Sequence, residues 1–488
     1  MGSNNLTTTV CNRKGNNSII FAILAGKSIS VNRLLFFWLL CFSTTTWAQR
    51  QNPALQRLPI DIQIKEPIDH KSSTMSAVRI SNLPPQNELD SIYKKDEYTA
   101  ARLRPFSDST IKIGLLLPIE YNSAASKIWG FLSDKDPQKG DIYRLKETSR
   151  EALDFYEGLQ YAISIKAPTP QVEFFLFDTY NNDSIVQELM LNDTIRACDI
   201  IIGPTSAAQS KFISGFCKRR KIVNIQPFVA AKNFTYDNPY LVRFMPTIDA
   251  HIQQVYDMVT DTFQDCNIIV YTSRRERDLS AARLLDTLFK SYNAINTHKL
   301  NYSFVNAGDT TLPAAKRNYN NYLSQKQKNV LIMTCYDEVQ VNAALRSIRD
   351  RDSVIVFGMP TWIDGDQIHV EYMNRTMPYF TDNFYVDTSI VRVNDFVKAY
   401  TEANGQKPSR YAYMGYDAMN YLTQLLNKYG KNIIDGVNKE SYDGLGYGFH
   451  ISPNIKPEKT TGEPIINYYM NTAMHLFQVR DYKVVKVR

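Results

Sequence analysis

The chain has 488 residues, 44% hydrophobic, 12% aromatic and 22% charged, with 56 Lys+Arg against 49 Asp+Glu and six Cys. This composition excludes a mainly disordered chain, and so few cysteines exclude a small disulfide-stapled scaffold. At roughly 100–200 residues per domain the length holds two or three domains, and the net charge of +7 points to nucleic acid only if it belongs to the folded part.

It does not. Residues Met1–Ala48 carry Arg13, Lys14, Lys27 and Arg33 and no acid. Their apolar run, Leu34–Phe42, is far short of the ~20 residues that span a bilayer as a helix. Small residues at Thr46 and Ala48 fit a leader-peptidase site, so a secretory signal cleaved after Ala48 is expected, with Gln49 as the new N-terminus. An uncleaved anchor, helped by the apolar patch Ser18–Ala25, is the alternative. Lipid anchoring at Cys41 is not expected, because the preceding Leu40 is bulky. The long basic leader suggests a translation start nearer Val31. Removing Met1–Ala48 takes four basic residues and no acid, which leaves a net charge of +3. No nucleic-acid partner is expected.

Residues 49–110 are polar and proline-punctuated and read as a linker or loosely ordered arm. Within them Ile60–Ile64 alternates like a short edge strand. Ile111–Pro118 is an almost continuous apolar run, the pattern of a strand buried on both faces of a parallel sheet. A polar insertion, Glu120–Arg144, follows. Ser149–Ile163 places Ala152, Tyr156, Leu159 and Ile163 on one helical face, with Ser149 as its cap. Then come strand Val172–Asp178, a short helix Ser184–Asn192, strand Asp199–Gly203, helix Ser206–Arg219 and strand Val223–Gln226. The alternation repeats. Leu241–Met245, Asn267–Tyr271, Asn329–Cys335 and Val354–Gly358 read as strands; His251–Phe263, Leu279–Tyr292 and Glu338–Arg349 read as helices. Asp382–Val386 is the next predicted strand, before helices Val391–Ala403 and Tyr413–Tyr429. The tail carries antiparallel strands around Ile465–Tyr469 and His475–Val487, with a turn near Arg480-Asp481. Alternating strands and helices with short loops specify α/β architecture with parallel sheets. Cys198, Cys217, Cys266 and Cys335 sit in or beside apolar runs and read as buried free thiols; a disulfide between Cys266 and Cys335 stays open.

Catalysis finds no support. There is no Walker A loop, H-E-x-x-H or Cys-x-x-Cys, no G-x-S-x-G elbow, and the six histidines lie at no ligand spacing. No enzyme activity, cofactor or metal is expected. Gly444–Gly448 is glycine-rich but opens no helix after a strand, so it reads as a turn or hinge rather than a phosphate loop.

Several stretches carry a family resemblance. They are Ile111–Pro118, Asp199-Ile-Ile-Ile-Gly-Pro-Thr-Ser206, Ile222-Val-Asn-Ile-Gln-Pro-Phe228 and Ala412-Tyr-Met-Gly-Tyr-Asp-Ala418. In order and spacing they resemble the type I periplasmic binding proteins, as in the branched-chain amino-acid-binding receptors. Gly358-Met-Pro-Thr-Trp362 and Asn467-Tyr-Tyr469 further resemble an exported subgroup whose members often carry peptidoglycan-binding LysM modules, a subgroup similar to the lipoproteins that activate peptidoglycan synthases. No LysM module is evident. The resemblance implies two Rossmann-like lobes joined by a multi-crossing hinge, with lobe one at 111–242 plus 388–446 and lobe two at 243–387 plus 447–488. It also implies ligand capture between the lobes by hinge closure, in the periplasm or at the outer-membrane periphery of a Gram-negative cell.

In open parallel sheets ligands sit beyond the carboxyl ends of strands. The candidate cleft residues at those ends are Glu120, Tyr121, Thr205, Ser206, Gln226 and Phe228 in lobe one and Tyr271, Tyr336, Asp337 and Trp362 in lobe two. Thr205 and Ser206 suit a carboxylate at a helix N-terminus, although Ser206 also reads as a plain N-cap. Asp337 would hold a ligand amine, or simply cap the helix opened by Glu338. Tyr121 and Phe228 read equally as packing residues. Pro227-Phe228-Val229 is bulkier than the small-residue loop of amino-acid receptors, and Glu120–Arg144 could cover the cleft. Two functions follow. The first is an exported binding protein for an amino acid, short peptide or related polar solute, partnered by a membrane transporter. The second is a cell-envelope interaction module with a vestigial cleft, binding peptidoglycan or an envelope protein.

Overall fold

A computed structural model describes residues 63–64, 110–120, 146–231, 237–362 and 368–487. The leader, the rest of the arm, Tyr121 and the insertion up to Arg144 lie outside the described residues.

The strands in chain order are β1 (Gln63–Ile64), β2 (Ile111–Leu117), β3 (Val172–Asp178), β4 (Ile200–Ile202), β5 (Val223–Gln226), β6 (Leu241–Arg243), β7 (Asn267–Thr272), β8 (Asn301–Asn306), β9 (Asn329–Met333), β10 (Val354–Phe357), β11 (Tyr379–Asp382), β12 (Ser441–Asp443), β13 (Gly448–Pro457), β14 (Pro464–Asn471), β15 (His475–Arg480) and β16 (Lys483–Lys486). They assort into two mixed sheets of mostly parallel strands with flanking helices, which form two α/β lobes. The chain also divides into two compact units: Met1–Thr205 with Asp395–Lys431, and Ser206–Asn394 with Asn432–Arg488.

In the first unit the strand order is β1-β3-β2-β4, all parallel. β2 is buried along nearly its whole length, which is why it reads as an unbroken apolar run. β1 takes the edge, Gln63 and Ile64 pairing with Phe175 and Leu176 of β3; Ile60–Ile62 of the predicted edge strand lie outside the described residues. Helix Glu147–Ile165 packs along helix Arg410–Tyr429. The crossing is close because Gly158 and Gly415 meet it reciprocally: a Cβ on Gly158 would overlap the Ala412 carbonyl, and one on Gly415 the Phe155 carbonyl. The first helix begins at Glu147, not Ser149. Lys146 occupies the cap position without a side-chain bond to the helix N–H groups, and Ser149 lies buried in the first turn.

In the second unit, β5-β6-β14-β13-β12 runs parallel through β14 and antiparallel beyond it. The connection of Gly444–Tyr447 between β12 and β13 is a hairpin turn, closed by Gly444 N donating to Tyr447 O at 3.1 Å. The seven-stranded sheet runs β16-β15-β11-β10-β9-β7-β8, parallel from β8 to β11, with the β15–β16 hairpin antiparallel at one edge. Its core gathers Ile268–Val270, Val330–Met333, Val356, Phe357, Phe380 and Trp362. Two expectations are corrected here. β11 ends at Asp382, where its Oδ1 accepts bonds from the N–H groups of Asn383 and Phe384 and turns the chain. β8 has no counterpart in the sequence reading, because it is an edge strand with mixed exposure. The four cysteines among the described residues are free, Cys266 half-buried and the other three buried.

Candidate functional site

The carboxyl ends of β8, β7 and β9 lie side by side in the second unit. Beyond β7, Ser273 Oγ donates to Asp278 Oδ2 at 2.7 Å and accepts from Arg275 N at 3.0 Å, which pins the turn into helix Glu276–Ile295. Asp278 is fully buried, and its backbone carbonyl accepts from Thr334 Oγ1 at 2.9 Å, tying the end of β9 to the same turn. Beyond β9, Asp337 caps helix Glu338–Ile348: its Oδ1 accepts from Gln340 N at 3.0 Å. Its Oδ2 accepts from Arg275 Nη2 at 2.7 Å. The Gln340 amide donates to Tyr271 Oη at 3.2 Å. Each loop is therefore fixed by bonds among polar side chains. They border a cavity of about 400 Å³ whose walls include Arg274, Arg275, Arg317, Asp337, Gln340 and Gly308. That volume suits a small ligand.

The electrostatics of these walls are one-sided. Three guanidinium groups accompany a single carboxylate, and that carboxylate already serves Arg275. Gly308 N donates to Asn306 Oδ1 at 2.9 Å, and a Cβ on Gly308 would come within 2.5 Å of Arg274 Cβ, so only glycine lets the β8 loop press against the arginine stem.

The sequence-nominated residues fall into different settings. Asp337 borders the cavity. Tyr271 is buried edge-on against Tyr319 at 4.9 Å, and burial raises its phenol pKa. Tyr336 lies under Arg277, 3.5 Å from guanidinium carbon to ring centroid; burial pushes its pKa to about 12, with the cation acting in the opposite sense. Trp362 is buried in the core and its indole N–H donates to Cys335 O at 3.1 Å. Ser206 caps helix Ala207–Arg220, its Oγ accepting from Gln209 N at 3.3 Å. Gln226 is fully buried; its amide N donates to Ser210 Oγ at 2.7 Å and its Oε1 accepts from Phe228 N at 3.1 Å. Phe228 packs on Val229, Leu241 and Tyr468. In the first unit Glu120 is buried and paired with Lys146 at 2.8 Å, and Thr205 is half-buried. Arg275, Arg317 and Gln340 were not nominated from sequence. The paired arginines just past an apolar strand were a usable signal; Arg317, which follows the unrecognised β8, had none.

No protein-family model matches the chain, and no curated protein matches its sequence. Solved structures match its fold. A protein of Rhodospirillum rubrum assigned as a branched-chain amino acid ABC transporter aligns with a TM-score of 0.53 at 14% identity, over 78% of this chain and 100% of its own. An ABC transporter substrate-binding protein from Desulfitobacterium hafniense gives 0.50 at 14% over the same shares. A branched chain amino acid ABC transporter periplasmic ligand-binding protein from Burkholderia xenovorans gives 0.50 at 13%, over 78% of this chain and 94% of its own. The fold is that of the type I periplasmic binding proteins. Among the described residues, no helix is long and apolar enough to cross a membrane, and no group of three or more His, Cys, Asp or Glu could hold a metal ion.

Proposed function

We propose that the protein is an exported, non-enzymatic binding protein of the cell envelope that captures a small polar solute by hinge closure. Its lobes would be 111–242 with 388–446 and 243–387 with 447–488, and its partner a membrane transporter. One observation carries the reading: a charged cavity at the carboxyl ends of adjacent parallel strands, with its loops held by side-chain bonds. That is where α/β sheets of this type take ligands. The names of the fold neighbours, all transporter-associated, and the leader-like Met1–Ala48 support it. Asp337 and Ser206, each at a helix N-terminus after a strand, are its proposed ligand contacts.

A thermal-shift screen of the exported chain with amino acids, dipeptides and muropeptides tests the proposal. A ligand at a hundred times its Kd stabilises the folded state by about 2.7 kcal/mol; a changed shift on Asp337→Ala or Ser206→Ala would mark these residues as contacts, and an unchanged one would strike them from the site. The bulk of Phe228, packed on Val229, Leu241 and Tyr468, favours the second reading, an envelope interaction module. Absence of any shift, together with retention of an envelope protein in a pull-down, would establish that second reading instead.

A further inference from the structure

We infer that the strand-end cavity of the second unit selects a small oxyanion carrying two negative charges, of dicarboxylate or phosphate type, rather than a zwitterionic amino acid. The inference rests on the binding reading above and names the ligand class for the same cavity. Its warrant is the state of the three arginines. Arg275 is neutralised by Asp337 at 2.7 Å. Arg274 is exposed and makes no hydrogen bond or ion pair among the described residues. Arg317 is half-buried, and its Nε is buried without any hydrogen-bond partner. That Nε is closed off from a ligand oxygen, so what Arg317 offers the cavity is the charge of its guanidinium group. The acid that feels the Arg317 charge, Asp309, has its carboxylate bonded to Thr311 N at 3.0 Å and Thr311 Oγ1 at 2.5 Å.

Two guanidinium groups therefore border the cavity with donor capacity to spare. Guanidinium presents a planar fork that meets carboxylate and phosphate oxygens in pairs. A zwitterion would bring one carboxylate together with an ammonium. The only wall carboxylate that could receive the ammonium is Asp337, which is already engaged by Arg275 and by the helix N–H of Gln340. The opposed charges of an amino acid thus lack a free acidic partner on the cavity wall, whereas a dianion meets Arg274 unpaired and Arg317 only partly offset by the ionised Asp309.

Isothermal titration calorimetry of the exported chain with inorganic phosphate, succinate and leucine, at low and at 0.5 M salt, reads the class directly. Binding of phosphate or succinate, weakened by salt and at least about tenfold tighter than leucine, is expected. Whichever anion binds identifies the source. Arg274→Gln should weaken it about tenfold; this residue is exposed and without a bonded partner, so folding is not at stake. Arg317→Lys, which keeps the charge and removes the fork, should weaken it as well. Leucine binding with no response to either anion overturns the assignment and leaves the solute-binding reading intact. Anion binding that both arginine variants leave unchanged also overturns it. Silence toward every anion, amino acid and dipeptide overturns the binding reading itself.

Discussion

Each unit concentrates charge in one place, and the two places are built in opposite ways. In the first unit Asp154 and Glu157 sit on helix Glu147–Ile165, only 6% and 7% exposed. Tyr400 Oη donates to Glu157 Oε2 at 2.6 Å, and Asp154 accepts from Gln406 at 3.5 Å. Burial is the leading cause that raises both carboxyl pKa values, and Glu157 reaches about 7. In the second unit the arginines lie at the mouths of strands, Arg275 with 59% of its side chain exposed. Ionisable groups in the first cluster are roofed over and satisfied by their neighbours; in the second they stay wet and partly unpaired. Clustered titratable residues thus mark a packing device in one unit and the proposed binding surface in the other. What separates them is whether the polar atoms find partners inside the fold.

The contrast breaks most visibly at the packing device. Gly415→Leu puts a side chain where the Phe155 carbonyl now lies. The clash is with backbone, which cannot rotate away, so the loss should reach or exceed the upper end of the ~1–3 kcal/mol typical of overpacked sites. Urea denaturation followed by circular dichroism checks it: a midpoint that does not move would mean the two helices separate freely.

The roofed acids come next. The folded pKa of Glu157, about 7, lies above its ordinary value of 4.5, so the native state holds a proton that the unfolded chain has released. Stability from this group is full below about pH 4.5, declines as the pH rises toward 7 and is flat above, by an amount on the order of 3 kcal/mol. Asp154, raised in the same direction, adds to the slope at its lower end. Glu157→Gln should flatten most of this dependence while keeping a partner for Tyr400. An unchanged slope in the variant would assign the loss of stability with rising pH elsewhere.

How much of this was readable beforehand differs between the two places for physical reasons. β2, β7, β9 and β10 are buried along nearly all their length, so each announces itself as an apolar run, and the caps Ser206 and Asp337 follow from residue type. β8 shows neither a continuous apolar run nor strict alternation, and Arg317, carried by the short helix Ala314–Arg317 beyond it, could not be placed. Ser149 looked like a cap because serine usually is one; here the helix gains an extra turn at Glu147 and buries the hydroxyl. Gln226 ends its strand and Trp362 closes the short turn after β10, as cleft residues would, yet their polar atoms are bonded to Ser210, Phe228 and Cys335. Strand-end position is legible in sequence; whether a side chain there is engaged in three dimensions is not.

The smallest effect discriminates most sharply, because Asp337 belongs to both descriptions. It caps a helix, as a packing residue does, and it borders the cavity, as a ligand residue does. Asparagine is as good an N-cap as aspartate, whereas alanine is not, and losing a cap costs about 1 kcal/mol. The ion pair with Arg275 is substantially exposed and adds little to stability. Asp337→Asn should therefore leave the midpoint of unfolding nearly unchanged, while Asp337→Ala lowers it by that cap. In the cavity the order of consequences differs: Asp337→Asn removes the one wall carboxylate and frees Arg275, so binding of phosphate or succinate should tighten several-fold even though stability stays put. Paired titrations and melts of the two variants separate the roles, and a fall in anion affinity on Asp337→Asn would mean that the carboxylate orients Arg275 for the ligand rather than competing with it.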